Sequence, residues 1–220
     1  MKTIYLLRHA AIADAYRDRF VGHIDPPLSP AGRLDAARSG RALRRLGIDA
    51  IHCSDLQRAR QTCALIAHGT RLPVHASEAL REIALGAWEG MKRSEVAARY
   101  PLDYARRGAD LADYRVPGGE SFADCQTRML KVWREIVASD AQRVVVVSHA
   151  GAIRALLCRL LGRPLAELFA IAQDYGAINV VTCSSGECRV LRVNCGADEL
   201  VGAAGLPQPA PRAINERRTS

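Results

Sequence analysis

Four separated segments of this chain carry side chains suited to handling a phosphoryl group: Arg8-His9, Arg58 within Ser54-Asp55-Leu56-Gln57-Arg58-Ala59-Arg60, Glu82, and His149. A phosphoryl group in transfer gathers negative charge on its peripheral oxygens, and fixed guanidinium groups bind those oxygens bidentately. Arg8, Arg58 and His149 are the candidates for such a clamp. A neutral imidazole can attack phosphorus and divide one difficult displacement into two easier ones, which makes His9 the candidate nucleophile. The departing alcohol then needs a proton, and the water that cleaves a phosphohistidine needs a base; Glu82 is the candidate for both. Taken singly, an Arg-His pair or a loop glutamate is commonplace. A histidine ending a buried strand says more, and the four segments together carry the reading.

Each of these residues falls where an element would have to deliver it. Thr3–Leu7 reads as a buried strand ending abruptly at Arg8-His9, and the carboxyl ends of strands are where open α/β sheets place chemistry. Ser29-Pro30 is an N-cap followed by a first-turn proline, and Leu34, Ala37, Leu43 and Leu46 recur at helical spacing, so a helix is expected from about 30 to 46. Ala50–Cys53 reads as a second buried strand and Asp55–Ala67 as a second helix. The four valines Val144–Val147 form the clearest central strand, ending at Ser148-His149-Ala150-Gly151 before an apolar helix over Ala152–Leu161. Between the two halves Glu82–Gly90 is expected as a loop, Lys92–Tyr100 and Ser121–Ala138 as helices, and the region around 85–120 as an insertion lying over the site. Its aromatic Trp88, Tyr100, Tyr104 and Tyr114 and basic Arg93, Arg106, Arg107 and Arg115 are expected to supply a substrate-facing wall. Ile178–Cys183 and Cys188–Val193 read as a hairpin around Ser184-Ser185-Gly186. The pattern gives one α/β domain over 1–195 and a flexible Pro- and Ala-rich tail over 196–220.

Composition narrows the rest. The longest apolar runs fall well short of the roughly 20 residues of a membrane span, and the first residues do not resemble a secretory signal, so a cytoplasmic protein without membrane association is expected. The formal charge of +8 suits a phosphorylated ligand, yet it comes mostly from arginine and no basic run is interleaved with aromatics, so no specific nucleic-acid partner is expected. The seven cysteines lack a C-x-x-C pair and are read as reduced, mostly core thiols, with no metal site.

Four motifs occur in order: Leu6-Leu7-Arg8-His9; Ser54-x-Leu56-x-Arg58-Ala59-x-Gln61-Thr62; Leu80-Arg81-Glu82-x-x-x-Gly86-x-Trp88-Glu89-Gly90; and Val147-Ser148-His149-x-Gly151. Together they resemble the motif series of the histidine phosphatase (phosphoglycerate mutase-like) superfamily. The resemblance implies a three-layer α/β/α sandwich with a mostly parallel central sheet and a helical insertion over the active site. It also implies a phosphate pocket of Arg8, His9, Arg58 and His149, with His9 phosphorylated and Glu82 donating the proton, without metal or cofactor, and it makes a homodimer reasonable. Softer motifs, Gly22-His23-x-Asp25-x-Pro27-Leu28-Ser29 and Pro117-Gly118-Gly119-Glu120-Ser121-Phe122, are similar to the α-ribazole phosphatase branch and neighbouring small-molecule phosphatases. The chain departs from the family pattern at Ala10, Ala11, Ile12 and Ala15, where polar phosphate contacts are usual. That loss argues for hydrolysis of a small phosphorylated metabolite, such as α-ribazole 5'-phosphate, and against the alternative of a mutase. A non-catalytic phospho-ligand-binding protein is the other alternative, and retention of all five central residues disfavours it.

Overall fold

The computed structural model of the chain describes residues 1–202. Its centre is a six-stranded sheet in the order β3-β2-β4-β1-β5-β6, formed by β1 (Lys2–Arg8), β2 (Ala50–Ser54), β3 (Val74–Ser77), β4 (Arg143–Ser148), β5 (Ile178–Ser184) and β6 (Glu187–Cys195). Strands β3, β2, β4 and β1 are mutually parallel, and β5 and β6 add an antiparallel hairpin. The consecutive valines of β4 are explained by two cores. Val144 and Val146 point into one with Ile4 and Leu6 of β1, whereas Val145 and Val147 join Tyr5 and Leu7 in the other. A strand buried on both faces cannot alternate apolar with polar.

Helices cover both faces, which completes the three-layer sandwich. On one side lie α1 (Pro30–Arg45) and α2 (Gln57–Ala67), burying Leu43, Cys63 and Ile66. On the other lie α5 (Phe122–Ala138) and α6 (Ala150–Leu160), burying Met129, Trp133 and Ile153. The expected cap holds: Ser29 Oγ accepts Gly32 N–H at 3.0 Å with Pro30 opening α1. Ser121 and Asp124 form a reciprocal capping box at the start of α5. The insertion contributes α3 (Arg93–Arg99) and α4 (Pro101–Ala109), held by a small core of Trp88, Val96 and Val116.

Three expectations need correction. Cys183 and Cys188, read as reduced thiols, are bonded to each other. They face one another across the β5–β6 hairpin, whose register is set by the two-residue turn Ser185-Gly186, both residues at positive φ. The other five cysteines are free and buried. The chain does not loosen at residue 196: Ala197–Gly202 forms a helix, α7, with Leu200 buried among Leu43 and Ile51. Residues 203–220 of the expected tail lie outside the described residues. Finally, Trp88 is 1% exposed and belongs to the core of the insertion, not to a substrate-facing wall. Among the described residues no helix is long and apolar enough to cross a membrane, and no group of three or more His, Cys, Asp or Glu is arranged to hold a metal ion.

Candidate active site

Strands β1 and β4 pair in register, Arg8 opposite Ser148, so both histidines emerge one residue past the sheet edge. His9 N–H donates to Ser148 O at 2.9 Å, and the two imidazole centroids stand 5.0 Å apart. Their tautomers are fixed by different partners. His9 Nδ1 lies 2.8 Å from the carbonyl of Ala10, which can only accept, so Nδ1 carries the proton and Nε2 keeps its lone pair. His149 Nδ1 accepts from Arg58 Nε–H at 3.1 Å, so its proton sits on Nε2. Burial, then Arg58 and Arg8, hold His9 well below the ordinary imidazole value; burial, then Arg58 and His9, do the same to His149. Both rings are therefore neutral at pH 7, one presenting a lone pair and the other an N–H.

Arg58 reaches this position from the first turn of α2, 1% exposed. Besides His149 it donates to Ile24 O at 2.8 Å and Gly22 O at 2.6 Å, and Asp25 stands 3.6 Å away. Asp25 also accepts the Gln57 N–H at 2.7 Å, capping α2 from a distant loop. Arg8 donates through Nη1 to Gln173 O at 2.7 Å, and the Tyr175 ring lies 3.6 Å from its guanidinium carbon. Among the described residues two buried side-chain nitrogens have no partner, Arg8 Nε and His149 Nε2. Both belong to this one pocket.

Glu82 enters from the loop after a 3-10 turn, Glu78–Leu80. Its carboxylate accepts Ile83 N–H (3.0 Å), Gly151 N–H (3.0 Å) and Ala152 N–H (2.9 Å), the last two from the start of α6 directly after His149. A Cβ on Gly151 would come within 2.6 Å of Glu82 Oε1, so the glycine of the Ser-His-x-Gly motif makes room for the carboxylate. The Glu82 backbone is clasped by Arg128, which donates to Ala79 O, Arg81 O and Glu82 O and pairs with Glu120. Arg81 forms a bidentate pair with Asp55 at the end of β2. All five residues expected from the sequence, Arg8, His9, Arg58, Glu82 and His149, thus converge.

Sequence reading missed several supports. Thr62 accepts Ala10 N–H at 3.1 Å and donates to Arg58 O at 2.8 Å, tying the His9 loop to α2. Glu89 accepts the N–H groups of Gly22, His23, Ile24 and Leu85. Both residues stood inside quoted motifs, which was the available signal. Gln173 and Asn179, buried and paired amide to amide at 2.8 and 2.9 Å, hold the carbonyl that positions Arg8, and nothing local in the sequence marked them. Two of the departures from the family pattern become explicable: Ala10 packs with Leu28 and Ala36, and Ile12 bridges to Leu28, whereas Ala11 is half-buried and Ala15 exposed.

A cleft of about 630 Å³ opens beside these residues, lined by Arg8, Glu82, Gly151 and Tyr175 and by Arg93, Tyr104 and Arg107 of the insertion. Of the expected wall, Tyr100, Arg106, Tyr114 and Arg115 do not line it.

Comparison with known proteins agrees with this geometry. Residues 4–196 match the model of the histidine phosphatase superfamily, branch 1. Over 195 residues the chain is 32% identical to phosphoserine phosphatase 1 of Hydrogenobacter thermophilus, covering 88% of this chain and 92% of that protein. It is 28% identical to the adenosylcobalamin/alpha-ribazole phosphatase of Salmonella typhimurium, with 83% and 91% covered. Among solved structures, YhfR of Bacillus stearothermophilus superposes with a TM-score of 0.80 at 30% identity, covering 87% of this chain and 96% of that one. The chain therefore belongs to the histidine phosphatase superfamily.

Proposed function

We propose that this protein is a phosphomonoesterase that hydrolyses a small phosphorylated metabolite through a phosphohistidine on His9. The observation that carries the reading is the complementary pair of tautomers beside two unpartnered buried donors. His9 Nε2 offers a lone pair, while among the described residues Arg8 Nε–H and His149 Nε2–H have no acceptor, a role that a phosphoryl group would fill. In the first step His9 Nε2 bonds to phosphorus as the P–O bond to the alcohol breaks, with Glu82 supplying the alcohol's proton. The positive charge gained by the ring strengthens the Nδ1–H bond to Ala10 O. In the second step Glu82, as carboxylate, takes a proton from water, whose oxygen bonds to phosphorus as the P–N bond breaks. Three backbone N–H groups hold the Glu82 carboxyl group in place for both steps.

Candidate substrates are α-ribazole 5'-phosphate, a sugar phosphate or a phosphorylated hydroxy acid. The apolar loop Ala10-Ala11-Ile12 favours release of phosphate over its return to substrate, hence a phosphatase over a mutase. A cytoplasmic location, turnover without metal and assembly as a homodimer complete the proposal; a reducing cytoplasm would open the Cys183–Cys188 bond. The test is release of phosphate from a generic aryl phosphate with and without EDTA, alongside phosphoglycerate with a bisphosphorylated primer. Chelator-resistant release supports the reading. Isomerisation faster than release would make the protein a mutase, and tight binding without release would make it a binding protein.

A further inference from the structure

The cleft is far larger than a single phosphoryl group requires, and its charge is not exhausted by the phosphate pocket. Besides Arg8, five arginines line it, of which Arg17 pairs with Asp14, Arg19 is held by backbone carbonyls and Arg93 is exposed; Arg107 and Arg154 remain. Arg154, five residues beyond His149 on α6, donates through Nε to Ile171 O at 2.8 Å, and its guanidinium carbon lies 5.6 Å from the Phe169 ring. Arg107, on α4 of the insertion, lies over three rings, Phe122 at 5.5 Å and Phe20 and Trp88 at 5.9 Å. Both are partly buried, and among the described residues neither has an acidic partner within ion-pair distance. Arg81 and Arg128, also part-buried, hold Asp55 and Glu120, and Arg19, which lines the same cleft, is held by Ala15 O and Gly90 O. The carboxylates whose charge acts on Arg154 are engaged elsewhere, Glu82 by backbone N–H groups and Asp174 by Asn194 Nδ2 at 2.8 Å. Burial partly desolvates both cations, a cost that no counter-charge offsets and that the neighbouring rings recover only in part. Among the described residues Arg107 keeps all of its guanidinium donors free for a ligand or solvent, and Arg154 both terminal nitrogens.

We propose that Arg107 and Arg154 form a second anion subsite in the cleft, and that the physiological substrate is a phosphomonoester whose alcohol part carries its own carboxylate or phosphate. This inference rests on the phosphomonoesterase reading and narrows it. A nucleoside-like substrate with a single phosphate, such as α-ribazole 5'-phosphate, would leave the second subsite without an anion. Insertion and α6 contribute one arginine each, so the subsite would require both walls of the cleft, and the aromatic rings would hold the guanidinium planes stiff.

The experiment compares kcat/KM for matched alkyl phosphates of increasing chain length ending in a methyl group, a carboxylate or a second phosphate. Wild-type protein is expected to prefer at least one anionic series by about 10- to 100-fold, the factor that one or two charge-assisted hydrogen bonds supply. Whichever series wins identifies the anion. In Arg107→Met and Arg154→Met that preference ratio is expected to fall about tenfold each, with Arg→Lys at either position recovering part of it. Wild-type preference needs no variant, so the test survives a variant that fails to fold. Equal turnover of all three series by a protein active on an aryl phosphate overturns the subsite and leaves the phosphomonoesterase standing. No turnover of any of them, aryl phosphate included, sinks both.

Discussion

One methyl group at position 151 should separate the two halves of the reaction. Gly151 sits in the first turn of α6, and a Cβ there would meet Glu82 Oε1 at 2.6 Å, Glu82 Cδ at 3.2 Å and Phe122 Cε1 at 3.2 Å. The carboxylate must therefore retreat, losing good geometry to Gly151 N–H and Ala152 N–H. Gly151→Ala does not threaten the helix, since alanine is favoured over glycine in helices by about 1 kcal/mol. The three atoms nearest the added methyl belong to Glu82 and Phe122, not to the phosphate clamp of Arg8, Arg58 and His149, so affinity for phosphate or vanadate should stay within about threefold, a change under 1 kcal/mol. Misplacing a catalytic group by about 1 Å costs on the order of 10²-fold, and loss of general acid–base help costs roughly 10² to 10⁴. With an alkyl phosphate, whose leaving group needs the proton, kcat should fall at least about 100-fold. With a nitrophenyl phosphate, whose leaving group does not, a rapid burst of nitrophenolate should survive while the steady state slows, because only the water step still needs Glu82. Stopped-flow absorbance reads both phases. A variant with the wild-type rate on the alkyl ester, or one that loses burst, steady state and vanadate affinity together, would refute the assignment of Glu82.

Arg58→Lys removes the planar fork that serves His149, Ile24 and Gly22 at once, so kcat/KM should fall on the order of 10²-fold or more, as for a lost charge-stabilising donor; steady-state kinetics with an aryl phosphate check this. Because His9 must be neutral and its folded value is depressed below 6.5, the competent form is present above that depressed value and lost only below it. The rate of His9 phosphorylation, corrected for ionisation of the substrate, should run level through pH 6.5, and a limb at 6.5 would count against the assignment. His52, stacked on His75 at 4.9 Å, is lowered to about 4 by burial, then by His75 and Lys2. A depressed folded value means stability present above 6.5 and lost as pH falls toward 4, so denaturant titrations should show His52→Asn flattening that decline. Reducing Cys183–Cys188 opens a short loop at the sheet edge, remote from the cleft; a loss of about 2 kcal/mol, or roughly 4–8 °C in Tm, is expected with kcat unchanged.

What the sequence revealed follows from where its constraints lie. Strands buried on both faces must be continuously apolar, so β1 and β4 were visible, and the polar residues ending them stood out as the site. Strand β3 was not visible because Val74, His75 and Ala76 are exposed and its place depends on backbone pairing with β2. Helix α7 is six residues long, too short for a periodic signal. The disulfide depends on hairpin register, which the turn at Ser185-Gly186 decides, whereas cysteine spacing alone does not. Arg8, His9, Arg58, Glu82 and His149 were legible because each lies in a local motif. The Gln173–Asn179 amide pair behind Arg8 is tertiary, and neither residue has a neighbour in sequence that betrays it. Trp88 misled because an aromatic in an insertion suits a small core as well as a substrate wall.

The most direct test is to quench the protein during turnover and locate the phosphoryl group by mass spectrometry and phosphorus NMR. The tautomers fixed by Ala10 O and Arg58 Nε predict an acid-labile adduct on Nε2 of His9, absent from His9→Ala together with activity. Turnover that persists in His9→Ala, or a phosphoryl group found on Nδ1 of His9 or on His149, would contradict the account.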